Sequence, residues 1–104
     1  MEFDIDNIRS LCSQGLIVLT EHMNKRMGQR GIVRDEIIQA IMNGEIIEEY
    51  PNDFPHPSCL ILGCSLAGKY LHVVIGIDIV LYLITAYEPD PEVFPDMRTR
   101  AKEV

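Results

Sequence analysis

Three residues with the chemistry to bind an anion recur at intervals of four, namely His22, Arg26 and Arg30 in the stretch 20–32. On an α-helix this interval places all three on one face. Arginine is always charged and its planar guanidinium can bind phosphate oxygens in pairs, whereas histidine can exchange a proton near neutral pH. The pattern therefore indicates either a site for an anion such as phosphate or a row of partners for the protein's own carboxylates.

The charge of this stretch is opposite to that of the rest of the chain. Residues 20–34 carry four basic side chains and one acidic one, a balance of +3, whereas the whole chain carries −7 and the remainder therefore −10. A net acidic chain is not a general nucleic-acid binder, because the phosphate backbone is itself anionic. Any contact with a polyanion must therefore use this local patch.

Length and composition predict a single cytoplasmic domain that comprises residues 1–104, without a membrane as a partner. Apolar residues make up 47% of the chain, which is ordinary for a globular protein. No apolar run approaches the ~20 residues that a membrane span requires, and the acidic N-terminus lacks the layout of a secretion signal. The three cysteines are accordingly expected to be free thiols.

Hydrophobic periodicity changes from about 3.6 to 2 after Gly44, which predicts helices followed by strands. Thr20 is a good N-cap for the cationic helix and Gly31 a good C-terminal residue, with Met23 and Met27 facing the core. The expected fold is α+β, with N-terminal helices packed on one face of a mostly antiparallel sheet of about four strands. The predicted helices are 4–13, 20–31 and 33–42, and the predicted strands are 45–50, 58–66, 70–77 and 80–87, after a short extended stretch at 16–19.

Four sequence blocks carry a resemblance to a known family. They are Thr20-x-His22-x3-Arg26-x3-Arg30-Gly31-Ile32, then 44–51 (GEIIEEYP), 71–74 (LHVV) and 85–89 (TAYEP). In this order they resemble domain-of-unknown-function family 4258, a family of small bacterial proteins, over about residues 19–100. That family is similar to the BrnT and RelE-like ribonuclease toxins of toxin–antitoxin pairs. Phe94 stands where the family more often has tryptophan.

The resemblance implies a RelE/BrnT-like fold, RNA cleavage without a metal or other cofactor, and a cognate antitoxin-like partner with a zinc finger or a helix-turn-helix. Such cleavage requires an acid, a base and fixed cations beside the phosphate. By chemistry, Arg26 and Arg30 are the candidate cations, and His22 or His72 is the candidate acid or base. Tyr87, at the end of the last predicted strand, is a candidate assisting group.

Structural alternatives exist for the same residues. Arg26 and Arg30 could pair with Glu48 and Glu49 across the junction between helix and sheet. His72 falls on the strand face opposite the apolar residues of its strand, where a hydrogen-bonded structural histidine is common. The matching functional alternative is a non-catalytic protein-interaction module of the same fold, which the acidic balance favours.

His56, Cys59, Cys64 and His72 are residue types that can bind zinc. Cys59 and Cys64 are five residues apart on one predicted strand and would point to opposite faces. We therefore predict no metal site.

Overall fold

The computed structural model of the protein describes residues 3–101 and shows three α-helices and five β-strands. The predicted order of helices before the antiparallel strands is confirmed. The predicted strand number is one short, because the stretch after the first helix forms a strand of three residues, too brief to give a periodic pattern. The elements are α1 (Ile5–Ser13), β1 (Ile17–Leu19), α2 (Glu21–Arg30), α3 (Arg34–Asn43), β2 (Glu45–Tyr50), β3 (Ser58–Cys64), β4 (Tyr70–Ile77) and β5 (Leu81–Tyr87).

The five strands form one mixed sheet in the order β1-β5-β4-β3-β2. Strands β2 to β5 are a continuous antiparallel meander, as their short connections predict. Strand β1 adds a parallel pair at the other edge, where Ile17–Leu19 align with Leu81–Leu83. The remainder of β5, from Ile84 to Tyr87, extends beyond this pairing.

The helices pack on one face of the sheet and bury a continuous apolar core between them. Helix α2 begins as predicted, because the Thr20 hydroxyl accepts a hydrogen bond from the Met23 amide at 3.1 Å. It ends at Gly31, whose φ of 65° is the left-handed conformation that glycine adopts without steric cost. Met23 and Met27 are buried, which confirms the predicted core-facing edge of this helix.

Helix α3 lies directly on β3 at Gly63. A Cβ atom at this position would overlap the backbone of Ala40, including its carbonyl oxygen. Only glycine lets the helix and the strand approach so closely. This contact fixes the depth of α3 in the helix layer.

The opposite face of the sheet, called the outer face here, is partly covered by the C-terminal segment, residues 89–101. Phe94 in this segment is 2% exposed and packs on the sheet. The segment closes on itself through the Ala101 amide, which donates to the Val93 carbonyl at 2.7 Å. Within residues 3–101 there is no helix with the length and apolar character to cross a membrane.

A β-bulge divides the outer face into two parts. Val74 aligns with Thr85 and the next residue of β4, Ile75, aligns with Leu83, so Ile84 has no partner on β4. A bulge of this kind bends the strand and redirects its side chains. On the side of the bulge that contains His72, the C-terminal segment covers the outer face. On the side that contains Gly76, the outer face stays open to solvent.

Candidate anion-binding surface and the His72 cluster

Four side chains of α2, His22, Lys25, Arg26 and Gln29, line a surface cavity of about 150 Å³, and we call them the α2 cationic surface. All four are exposed, because α2 buries its methionines against the core and turns this face to solvent. Among residues 3–101, no carboxylate lies within ion-pair distance of Lys25 or Arg26. The surface therefore presents two cations, Lys25 and Arg26, that make no ion pair within this part of the chain.

Arg30, two turns after His22 on the same helix, is bound to the sheet. Its guanidinium Nη1 donates to the Thr85 hydroxyl at 3.0 Å and to the Ala86 carbonyl at 2.8 Å. This carbonyl belongs to the stretch of β5 that extends beyond β1. Arg30 therefore supplies the donor that a longer edge strand would provide, and it anchors the end of α2.

The aromatic ring of Tyr87 connects Arg30 to His72. The guanidinium carbon of Arg30 lies 6.0 Å from the centre of the Tyr87 ring, at the outer limit of a cation–π contact. The Tyr87 ring is in turn 5.4 Å from the His72 ring in an edge-to-face arrangement. Burial raises the pKa of the Tyr87 hydroxyl, so this residue stays neutral near pH 7.

His72 is fully buried on the outer face, under the C-terminal segment. Its Nε2 lies 2.6 Å from the Met97 carbonyl oxygen, and the Phe94 ring packs edge-on at 4.5 Å between ring centres. Because a carbonyl only accepts, Nε2 must carry the hydrogen. Nδ1 is buried without a hydrogen-bond partner among the described residues, so a second proton would have no acceptor. Burial accordingly lowers the pKa of His72 below its usual 6.5.

An ion pair between β2 and the C-terminal segment lies beside His72. Arg100 Nε donates to the two Glu48 carboxylate oxygens at 3.2 and 2.9 Å, and the Tyr50 hydroxyl donates to the same carboxylate. Burial opposes the charge of Glu48, but the bonds from Tyr50 and Arg100 outweigh it and lower the Glu48 pKa. Burial and the bond to Glu48 raise the pKa of Tyr50 to about 12.

The predicted pairing of Arg26 and Arg30 with Glu48 and Glu49 is wrong, because neither arginine forms an ion pair with these carboxylates. Among the described residues, the cation that pairs with Glu48 is Arg100, whose guanidinium carbon also lies 4.9 Å from the Phe94 ring centre. Nothing local in the sequence joins residues 48 and 100. The basic residues of the C-terminal tail, Arg98, Arg100 and Lys102, are the sequence feature that hints at this partner.

The five predicted site residues thus fall into two groups. Arg30, Tyr87 and His72 form one chain of contacts across the end of β5. His22 and Arg26 lie on the exposed α2 cationic surface. Whether any of them takes part in catalysis stays a prediction.

The cysteines are consistent with small core residues. Cys12 and Cys59 are buried, Cys64 is partly buried, and all three are free thiols. Burial raises the pKa of Cys59 to about 12, which keeps it a thiol rather than a reactive thiolate. Within residues 3–101, no three histidine, cysteine, aspartate or glutamate side chains gather into a group that could hold a metal ion.

Comparison with known proteins gives a family and no characterised relative. No curated protein and no solved structure matches the chain. The sequence model of the family described as "Domain of unknown function (DUF4258)" matches residues 19–88, two thirds of the chain, and the protein therefore belongs to that family.

Proposed function

We propose that this protein is a toxin-type, metal-independent ribonuclease that binds RNA on the α2 cationic surface. The observation that carries the proposal is the group His22, Lys25 and Arg26 around one cavity, with no carboxylate among residues 3–101 paired with Lys25 or Arg26. Phosphate oxygens are the ligands that such a group binds best, because guanidinium and ammonium donors form charge-assisted hydrogen bonds with them.

In the proposed reaction, Lys25 and Arg26 hold the phosphate and stabilise the charge that develops on it. His22 accepts the proton of the ribose 2′-hydroxyl, whose oxygen then bonds to phosphorus. The bond to the 5′-oxygen breaks, and that oxygen takes a proton from water. The products are a 2′,3′-cyclic phosphate and a 5′-hydroxyl end.

Arg30 and His72 have different parts in this proposal. Arg30 is a positioning residue, since it holds the end of α2 on β5 through the Ala86 carbonyl. His72 is fully buried and bonded to Met97, so it does not meet the substrate in this arrangement. The acid–base role that the sequence offered to either histidine therefore goes to His22.

A second candidate function is a non-catalytic interaction module with an antitoxin-like partner protein. The specific observation in its favour is the burial of His72, which leaves His22 as the one histidine on the cationic surface. Cleavage commonly uses both an acid and a base, whereas binding requires the cations alone. In this function an acidic segment of the partner occupies the same surface.

Retention of single-stranded RNA and product analysis, each with and without a chelator, separate these functions. We expect cleavage that the chelator does not change, that His22→Gln abolishes with binding intact, and that Arg26→Ala weakens through binding. The log of the affinity should fall with log salt at a slope of about −0.7 per phosphate contacted. Arg98→Ala is the matched control, because it removes one cation from the C-terminal segment instead of α2.

The outcomes are distinct. Binding without cleavage at low salt would overturn the ribonuclease and favour the interaction module. Neither binding nor cleavage, or equal effects of Arg26→Ala and Arg98→Ala, would remove RNA as the ligand of α2.

A further inference from the structure

A groove of about 260 Å³ lies on the open part of the outer face, between the loop 53–56 and strands β4 and β5. Its floor is Gly76, which has no side chain. One wall is formed by Tyr82 and His56, whose rings stack with centres 4.4 Å apart and planes 8° apart. Ile84, which the β-bulge leaves without a partner on β4, lines the groove together with Phe54, Pro55 and Thr20.

The apolar side chains around this groove are unusually exposed. Phe54 is 95% exposed and Ile84 is 42% exposed. Val18 is 40% exposed and aligns with Tyr82 across the β1–β5 pair, so it continues the same face. Single exposed apolar residues are ordinary, whereas a contiguous group beside a groove is typical of an interaction site.

The charge beside the groove is negative. Asp53 lines it, and its carboxylate accepts a hydrogen bond from the hydroxyl of Ser58, which is itself fully buried. A second carboxylate, Asp78, lies behind this lining, 3.7 Å from Nδ1 of the groove residue His56. No lysine or arginine is among the groove-lining residues in the described part of the chain. A fixed carboxylate beside an apolar floor complements an apolar group that is attached to a cation.

The size of the groove limits what it can hold. Drug-sized ligands occupy pockets of roughly 300–1,000 Å³, so this groove is suited to a single side chain. Aromatic side chains are the usual anchors of protein interfaces, in pockets of this kind. We propose that the groove binds a segment of a partner protein that carries one aromatic anchor flanked by lysine or arginine. This site shares no lining residue with the α2 cationic surface and does not rest on the function proposed for it.

The chain contains no tryptophan, which permits a direct test. The probe is the peptide acetyl-Lys-Trp-Lys-amide, whose indole fluorescence is followed as the protein is added. We expect a blue shift that saturates with a dissociation constant of about 1 mM or lower, the weak range for one buried ring. Acetyl-Glu-Trp-Glu-amide should bind at least about fivefold more weakly, because Asp53 repels it.

Two pairs of variants locate the binding. Ile84→Lys should weaken it at least about tenfold, whereas Leu66→Lys, which makes the same change at an 87% exposed residue of the β3–β4 turn, should leave it unchanged. Gly76→Ala places a methyl group 3.6 Å from each of His56, Tyr82 and Ile84, so it fits the fold and fills the floor. It should keep the thermal midpoint and weaken binding. Asp53→Asn should abolish the preference for the cationic peptide.

Three results would overturn the proposal. The first is no fluorescence shift up to about 5 mM protein and peptide, well above the expected range. The second is equal binding of the cationic and anionic peptides by the parent. The third is a dimer of the parent in sedimentation that Ile84→Lys dissociates and Leu66→Lys does not, since the occupant would then be a second copy of the chain.

Discussion

Acidification should destabilise the protein through His72. The folded state holds this ring neutral, because Nε2–H donates to the Met97 carbonyl and the buried Nδ1 has no acceptor for a second proton among residues 3–101. Burial lowers the folded-state pKa of His72 below 6.5, while the unfolded chain exposes the ring to water. As the pH falls through about 6.5, the unfolded state therefore takes up a proton that the folded state does not.

The size of the effect follows from this difference of one proton. A full proton changes the free energy of unfolding by about 1.4 kcal/mol per pH unit. Between about pH 7.5 and pH 5.5, His72 can therefore remove at most about 1.4 kcal/mol, roughly three quarters of it below pH 6.5. The neighbouring charges act in opposite directions, since Glu48 raises the His72 pKa and Arg100 lowers it. Burial is the largest cause and sets the sign.

Urea denaturation at a series of pH values measures how the free energy of unfolding depends on pH. His72→Gln is the test variant, because its amide can still donate to the Met97 carbonyl but does not titrate. We expect the free energy of unfolding of the parent to fall more steeply below pH 6.5 than that of the variant. The matched control is His22→Gln, which removes an exposed histidine and should keep the parent's steeper fall.

Parallel curves for the parent and His72→Gln would refute this reasoning. So would a parent that becomes more stable as the pH falls from about 6.5 while His72→Gln does not, because the folded protein would then bind the proton more tightly than the unfolded chain.

Three further predictions follow from individual contacts, and each is checked by the urea midpoint of the variant. Arg30→Ala should lower the free energy of unfolding by about 1–2 kcal/mol, because it removes the donor of two hydrogen bonds to β5. Arg26→Ala should lower it by less than about 0.5 kcal/mol, and equal losses would contradict the anchoring role of Arg30. Gly63→Ala should cost about 2–3 kcal/mol, because its methyl group overlaps the backbone of Ala40, and an unchanged midpoint would show that α3 can move aside. Phe94→Ala should lower the free energy of unfolding by about 3 kcal/mol and speed hydrogen exchange of the amides in residues 89–101. Unaltered exchange would mean that the Phe94 ring does not hold this segment on the sheet.

The parts of the fold that local chemistry determines were predictable from the sequence. Thr20 caps the start of α2 through its hydroxyl, and Gly31 ends the helix in the left-handed conformation. Met23 and Met27 face the core as the helical period requires. The antiparallel meander follows from alternating apolar strands with short connections. The extended stretch at 16–19 was predicted, but its pairing as strand β1 was not, because three residues give no period and their partner on β5 is more than sixty residues away in sequence.

The environment of the candidate site depends on contacts that no local pattern encodes. The position of His72 on the outer face was predictable from strand alternation, but its cover was not. That cover requires Met97 at a φ of 68° and Arg100 beside Glu48, two features that only the folded chain brings together. The consequence is functional, because the cover removes His72 from solvent and leaves His22 as the histidine that an external ligand on α2 can meet.

The charge balance of the whole chain strengthens the reason to expect such a ligand. The chain has 16 acidic and nine basic residues, so carboxylates outnumber cations. A lysine or arginine that makes no other contact therefore has many carboxylates with which it can pair. Lys69 and Arg100 take such partners, in Glu36 and Glu48. Lys25 and Arg26, in contrast, lie together on one cavity, and no carboxylate among residues 3–101 pairs with either. Glu21 lies one helical turn before Lys25, the spacing at which a helical ion pair can form, but the two side chains are not within ion-pair distance. Unpaired cations on an acidic protein are what an anion supplied from outside the chain requires, and the salt dependence of RNA binding measures whether that anion is phosphate.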